Sequence, residues 1–487
     1  MGREKKIWWR RLDNTAKIFP VIANENMSQV FRTSVTLKEE IQPEMLQRAL
    51  EAILPEIDQF RVKLKRGFFW YYFEENREIP QVKRESRYPC RYINPHENQK
   101  FLFRVTYYER RINLEMFHGL TDGLGSILFL KRLTMQYLRL VHGKPALEPA
   151  ADEAPTEAPE LEAVDSYLEN YHEMPHHSYS SRPAYRIGGR FMHLGNMQVL
   201  HGYLPLAQTK AACRRYGVTV TKYLAAAMIW SIWQEYLDGK SSLRPVVLNV
   251  PVNLRSFFHS DTISNFFAVT MIGQRFHNPD MTFANLVGRI SRQMDRKASK
   301  ERLAESISYN VSNEKKWYLR VIPLFIKAPV LQYLFRKKDR AYSMTLSNLG
   351  LIQMEEAYAD AIERFHIFIG VSRRQPLKCT VCSYGSEIVV TFASVLKDST
   401  MQKRFFETLR NDGIPVTLEG NELCGARKRD MYPRVRLIRI MRPGGGQKAA
   451  RIAGKARSLW KTVVSQMRDY LSGKANWKEE LRRRLHV

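Results

Sequence analysis

The stretch "MFHGLTDGLGSILFLKRL", residues 116–133, places an imidazole at the end of an apolar run and a carboxylate four positions later. Histidine is the side chain best suited to take a proton near neutral pH. Asp122 can orient that ring by a hydrogen bond, or hold the loop through a cation. Gly119, Gly123 and Gly125 permit positive φ and let backbone and ligand approach closely. The same spacing also suits a plain strand–turn–helix connection, in which Asp122 caps the helix and His118 only packs. The pattern alone does not choose between the two.

Whatever His118 does, neighbouring elements must hold it. "FLFRVTYYERRINLEMFH" reads as a hairpin turning near Glu109–Arg111, whose last strand delivers His118. "SILFLKRLTMQYLRLV" has helical spacing through Ile127, Leu130, Leu133 and Tyr137, and "HGKP" ends it. Upstream, "QVFRTSVTL" is extended, "QPEMLQRALEAILPEI" has a helical apolar stripe with Pro43 near its start, and "FRVKLKRGFFWYYFEE" reads as two strands about a Lys-Arg-Gly turn. This first α+β lobe is expected over residues 1–187, with an acidic Pro/Ala-rich loop near 148–165. A second lobe is expected over 188–424. Its "VTVTKYLAAAMIWSIWQEYL" starts with threonines able to cap and is apolar enough to be a central buried helix. "RPVVLNVPVNLRSFF" reads as a buried strand of parallel type. "FFAVTMIGQRF", "AYSMTLSNLG", "RFHIFIGVS", "LKCTVCSYG" and "EIVVTFAS" supply further strands to this lobe.

The chain of 487 residues carries a formal net charge of +28, unevenly spread. From Asn421 to Val487 there are 18 Lys/Arg against 5 Asp/Glu, so the final seventh holds nearly half of the excess. A basic tail over 425–487 is therefore treated as a separate object, with Leu459, Val463, Val464, Met467 and Leu471 on one helical face. Such charge favours anionic partners. An anionic membrane surface suits the tail's apolar face, and nucleic acid is disfavoured because no recognition motif accompanies the charge. Five cysteines without a secretory signal suggest reduced thiols in a cytoplasmic protein. The pair in "KCTVCSYG" lies in a strand-like run with no second ligand pair, so core packing is preferred to metal. The histidines of "YHEMPHHSYSS" read as a polar loop for the same reason. The N-terminus has no apolar core of a signal peptide, and Lys6 occupies the position where a myristoylation signal wants Ser or Thr. "VIPLFIKAPVLQYLF", 321–335, is interrupted by Lys327 and two prolines and reads as a buried or interfacial helix pair, not a span. The expectation is a soluble protein, at most peripheral at the inner membrane surface.

Four stretches together resemble a known group. "FHGLTDG" resembles the HHxxxDG signature of the coenzyme-A-dependent acyltransferase superfamily, which includes chloramphenicol acetyltransferase, alcohol acetyltransferases and the condensation domains of nonribosomal peptide synthetases. "YGVTVTKYLAAAMIWSI", "VPVNLRSFFHSDTISNFF" and "TLSNLG" resemble the long helix, the PVNLR strand and the Asn-Leu-Gly strand of that superfamily, in the same order. The likeness spans about residues 20–415 and is nearest the alcohol acetyltransferase branch. Phe117 replaces the first histidine, and the DFGWG motif of plant acyltransferases is missing.

The resemblance implies an α+β fold of two chloramphenicol-acetyltransferase-like lobes, each a mixed sheet with flanking helices, with an active-site tunnel between them. It implies His118 as general base, Asp122 as a structural brace salt-bridged to Arg255, and Gly119 and Gly123 as loop residues. Asn265 would support the site, and Asn348 and Gly350 would line the donor channel. It implies no metal and no bound cofactor, with acyl-CoA as co-substrate and a small or lipid-like alcohol or amine as acceptor. Two alternatives stand beside this. One is a condensation-type enzyme whose donor is an acyl carrier protein thioester. The other is a non-catalytic binding protein on the same fold, with a membrane-associating tail.

Overall fold

The β-branched and aromatic runs become strands of three sheets among the described residues. The computed structural model describes residues 7–85, 88–143, 165–174, 182–193, 195–277 and 280–421. In chain order the strands are β1 (Trp9–Arg11), β2 (Val30–Leu37), β3 (Val62–Arg66), β4 (Tyr71–Glu75), β5 (Lys83–Arg84), β6 (Phe103–Tyr108) and β7 (Arg111–Phe117). They continue as β8 (Gln198–Pro205), β9 (Val246–Asn253), β10 (Phe267–Gln274), β11 (Met344–Leu351), β12 (Ile362–Ile369), β13 (Leu377–Tyr384), β14 (Glu387–Ser394) and β15 (Thr417–Gly420). The orders are β1-β4-β3, β12-β2-β7-β6-β5 and β10-β9-β11-β13-β14-β8-β15. The two larger sheets mix parallel and antiparallel pairs and carry helices, giving two sheet-rich α+β lobes. The chain divides into units Met1–Leu423 and Cys424–Val487, and both large sheets lie in the first. The tail 425–487, and the acidic loop apart from Asp165, lie outside the described residues.

Two readings of single strands change, and a third is sharpened. "RFHIFIGVS" reads as a strand of the second lobe, but β12 pairs antiparallel with β2, from Phe365↔Val35 to Ile369↔Phe31. Without it β2 would be an open edge, since its other side is taken by β7. β9 is not a fully buried parallel strand. It is antiparallel to β10 along its length, meets β11 in parallel register at two residues, and buries only alternate positions, Val246, Leu248 and Val250. Cys379 and Cys382 are three apart on β13, so the two-residue period of a strand sends them to opposite faces, one into each large core.

The helix Gly123–His142 ends on Gly143 at φ 60°, the left-handed stop that glycine supplies cheaply. The helix Val220–Leu237 is buried from Tyr223 to Met228 and beyond, with Trp233 stacked on Phe276 at 4.3 Å. Thr219 is its N-cap residue but makes no side-chain capping bond, and Thr221 is used elsewhere. Residues 321–335 fall in a helix pair, Trp317–Val321 and Leu324–Lys338. In the second helix Leu324 and Lys327 are buried, and much of the rest faces outward. Among the described residues no helix is long and apolar enough to cross a membrane.

The strand that ends at His118 is anchored by a buried charge cluster. Register sets Glu115 of β7 directly between Arg32 of β2 and Arg104 of β6. Its Oε1 accepts from Arg32 Nη2 at 2.7 Å and from the Cys90 N–H at 2.7 Å, and its Oε2 accepts from Arg104 Nε. Burial pushes this carboxyl up, but the two guanidinium groups and the amide outweigh burial and leave it below the ordinary value. Glu115→Ala would take the carboxylate from Arg104 and leave Arg32 with Glu85 alone, in a site where Glu115 is 1 % exposed. Urea unfolding is expected to show a loss of about 3–5 kcal/mol. Because the folded carboxyl is depressed, its contribution is present above the unfolded pKa of about 4.3 and is lost as pH falls through the lower folded value. The gap between wild-type and variant melting temperatures should therefore be constant above the unfolded pKa and narrow as the pH falls below it.

Candidate active site

β7 ends at Phe117, and the His118 N–H donates to Gln29 O at 2.8 Å, closing the strand pair. The chain then turns through Gly119–Thr121 and enters the helix at Asp122. None of Gly119, Gly123 and Gly125 has positive φ. Their value is close approach: a Cβ would lie 2.4 Å from the Phe117 ring at Gly119 and 2.7 Å from Leu349 at Gly123. At Gly125 it would lie 2.4 Å from the Ile263 carbonyl, which backbone cannot readily yield.

Asp122 is both a cap and an ion-pair partner. Its Oδ1 accepts from the Gly125 N–H at 3.2 Å, and its Oδ2 accepts from Arg255 Nη1 at 2.8 Å and the Phe266 N–H at 3.0 Å. Both oxygens are thus committed away from the imidazole. Arg255 extends the junction, donating through Nε to Thr262 O at 2.9 Å and through Nη2 to Ser264 O at 2.5 Å.

The half-buried His118 ring sits in an aromatic box, stacked on Phe19 at 4.6 Å and tilted against Phe31 at 5.1 Å and Phe267 at 5.5 Å. Its Nδ1 lies 3.1 Å from Asn265 Oδ1. Asn265 turns its Nδ2 to Asp13 Oδ2 at 3.3 Å, so its oxygen end faces the ring and can only accept. Nδ1 therefore carries the proton, and Nε2 keeps its lone pair. Burial lowers the imidazolium pKa below the ordinary histidine value, while the bonds to its own carbonyl and to Asn265 partly restore it. The ring is thus held neutral, in the tautomer that accepts at Nε2.

Asp13 is a participant that the reading of motifs passed over. It is half-buried, and its Oδ1 accepts from the Ala16 N–H at 2.6 Å while Oδ2 receives the Asn265 backbone and side-chain N–H groups at 3.3 Å. Burial raises its pKa to about 7. Its signal was present: an Asp three residues before the turn Ala16–Ile18 is an Asx-type N-terminal stop. The aromatic residues of the box left no signal beyond apolar periodicity.

Asn348 and Gly350 lie apart from this cluster, at the end of β11. Asn348 Nδ2 donates to Thr221 at 2.8 Å and its Oδ1 accepts from the Gly350 N–H at 2.9 Å, with Gly350 at φ 77°. Leu349 between them reaches the start of the helix at Gly123. A cavity of about 370 Å³ is bordered by Ile22, Ser28, Cys90 and Gly370 and by Phe335 and Arg336 of the helix Leu324–Lys338, and His118 is not among its lining residues. No cluster of three or more His, Cys, Asp or Glu among the described residues is placed to hold a metal ion.

The tautomer is directly testable. Histidine-selective nitrogen NMR should show Nδ1–H for His118 with titration below the ordinary value of about 6.5. In Asn265→Ala the pKa should fall further, since the lost acceptor favoured the cation, and an Nε2–H population should appear.

No family model matches the sequence, and no curated protein matches it. Solved structures do match. A trichothecene 15-O-acetyltransferase from Fusarium sporotrichioides is 11% identical with a TM-score of 0.52, over 85% of this chain and 96% of that one. The polyketide synthase associated protein 5 of Mycobacterium tuberculosis is 13% identical with a TM-score of 0.50, over 82% and 97%. A variant of the starter condensation domain of rhizomide synthetase, solved with C8-CoA, is 14% identical with a TM-score of 0.52, over 84% and 98%. At these identities the likeness is one of fold, and it covers nearly the whole of each neighbour.

Proposed function

We propose that this chain, built on the fold shared by condensation domains and acetyltransferases, is an acyltransferase in which His118 is the general base. The observation that carries the reading is the chain Asp13–Asn265–His118, which leaves Nε2 as the unprotonated, unpartnered nitrogen of a neutral ring. In the proposed step Nε2 takes the proton of an acceptor hydroxyl or amine as that atom attacks the carbonyl carbon of an acyl thioester. The new C–O or C–N bond forms, the C–S bond breaks, and the imidazolium returns its proton to the departing thiolate, giving product and free thiol. No covalent enzyme intermediate is needed, since holding the two substrates in line supplies much of the acceleration. Asp122 and Arg255 act as a brace, Asn265 orients the base, and Asn348 and Gly350 shape the donor side.

Acyl-CoA is proposed as the donor, supported by the neighbouring condensation domain solved with C8-CoA. An alcohol acceptor is the first choice, supported by the neighbouring O-acetyltransferase. Thiol release should be followed with acetyl-CoA and longer acyl-CoAs against alcohols and amines. His118→Ala is expected to reduce turnover by about 10²–10⁴-fold, and undiminished turnover would remove the base. Turnover with an acyl carrier protein thioester alone would replace the donor but keep the base. In the wild type the acidic limb of kcat/KM should fall below the ordinary histidine pKa, because activity needs the neutral ring and burial favours it.

A further inference from the structure

The helix Leu324–Lys338 is apolar on two sides, and the core accounts for only one. Inward, Leu324 is buried, Phe335 packs on the first core, and Gln332 Nε2 donates to Val21 O at 2.8 Å. Outward, Phe325 is 60% exposed, Tyr333 65% and Leu334 52%, and Val321 just before the helix is 56% exposed. The β3–β4 turn sets the exposed Phe68 and Phe69 beside the first turn of this helix. Its backbone is fixed there: the Leu324 N–H donates to Phe68 O at 2.8 Å, and Lys327 Nζ stands 3.8 Å from the Trp70 ring centre. Single exposed apolar residues are ordinary, but a group of exposed apolar side chains drawn from two hydrogen-bonded elements marks a contact surface.

The charges around this face say what it meets. From Lys315 to Lys338 there are seven Lys/Arg and no Asp/Glu, six of them besides the buried Lys327; on the β3–β4 hairpin Lys63 and Lys65 pair with Glu74, which leaves Arg66 as its unpaired cation among the described residues. A second copy seated here would oppose cation to cation. Aromatic and aliphatic side chains facing outward, with lysine and arginine at their rim, suit the boundary between acyl chains and anionic headgroups.

We propose that this face, Phe68–Phe69 with the outer side of Leu324–Lys338, docks the chain on an anionic lipid bilayer. Phe335 and Arg336 of the same helix border the cavity lined by Ser28, the chain neighbour of the Gln29 whose carbonyl accepts the His118 N–H. Docking therefore brings that cavity to headgroup depth, where it can draw an amphiphilic alcohol from the bilayer. This last consequence rests on the acyl-transfer reading; the docking does not.

Full-length protein should be sedimented with vesicles of phosphatidylcholine alone and of phosphatidylcholine with phosphatidylserine. Binding is expected with the anionic vesicles, weakened by salt. The triple variant Phe68→Ser/Phe325→Ser/Tyr333→Ser should bind at least about tenfold more weakly, and Arg66→Glu/Lys337→Glu should move the same way. These are surface positions, so thermal melts should match the wild type. Unchanged binding by the triple variant, for instance because the basic tail carries it, overturns the proposal. Equal binding to neutral vesicles does so too, as does a lipid-free dimer that the triple variant loses. A second readout is thiol release with a long-chain alcohol held in vesicles. It should drop in the triple variant while release with a short soluble alcohol does not. Failure of both alcohols in every protein would count against acyl transfer and leave the vesicle result to stand by itself.

Discussion

The site depends on one buried carboxylate that faces away from the chemistry. Asp122 belongs by sequence to the strand–turn–helix of the first sheet, yet its partners Arg255 and Phe266 belong to segments flanking the strands of the second. A charge that is 6% exposed is tolerable only with such partners, so the ion pair fixes where the two sheets meet. Phe266 follows Asn265 directly. Holding the Phe266 amide on Asp122 therefore aims the Asn265 side chain at His118. The His118 ring is oriented from across the junction and not from its own loop.

The divided labour explains why sequence spacing alone was ambiguous. Asp122 does cap its helix, as an ordinary connection would require, and the same carboxylate also takes Arg255. Phe117 and Gly119 form a similar matched pair. The ring at Phe117 fills the volume that any side chain at Gly119 would need. The apolar residue that replaces the first histidine of the signature is thus a packing partner of the turn, and it leaves His118 on its own face of the strand.

Local features were legible in the sequence because they obey short periods: the hairpin to His118, the helix after Asp122, the buried helix Val220–Leu237. The resemblance of ordered motifs extended that to two sheet-rich lobes and to the Asp122–Arg255 pairing as an expectation. What escaped depends on distance along the chain. Asp13 reaches Asn265 across more than 250 residues, and no local period encodes that encounter. β12 looks like its neighbours β11 and β13 in composition, so nothing in its residues announces that it pairs with β2. The outer helix was ambiguous for a physical reason: apolar residues facing a core and apolar residues facing outward read alike.

The exchanged strand has a consequence for how the molecule can be taken apart. β12 completes the first sheet, while β13, a few residues later, stands in the middle of the second. The connection between them works as a clasp, so the first lobe has no complete hydrogen-bonded sheet until residue 369 has been synthesised. A fragment ending near residue 187 would present β2 as a bare edge ready to pair with its like. Two fragments cut there would have to find each other to fold.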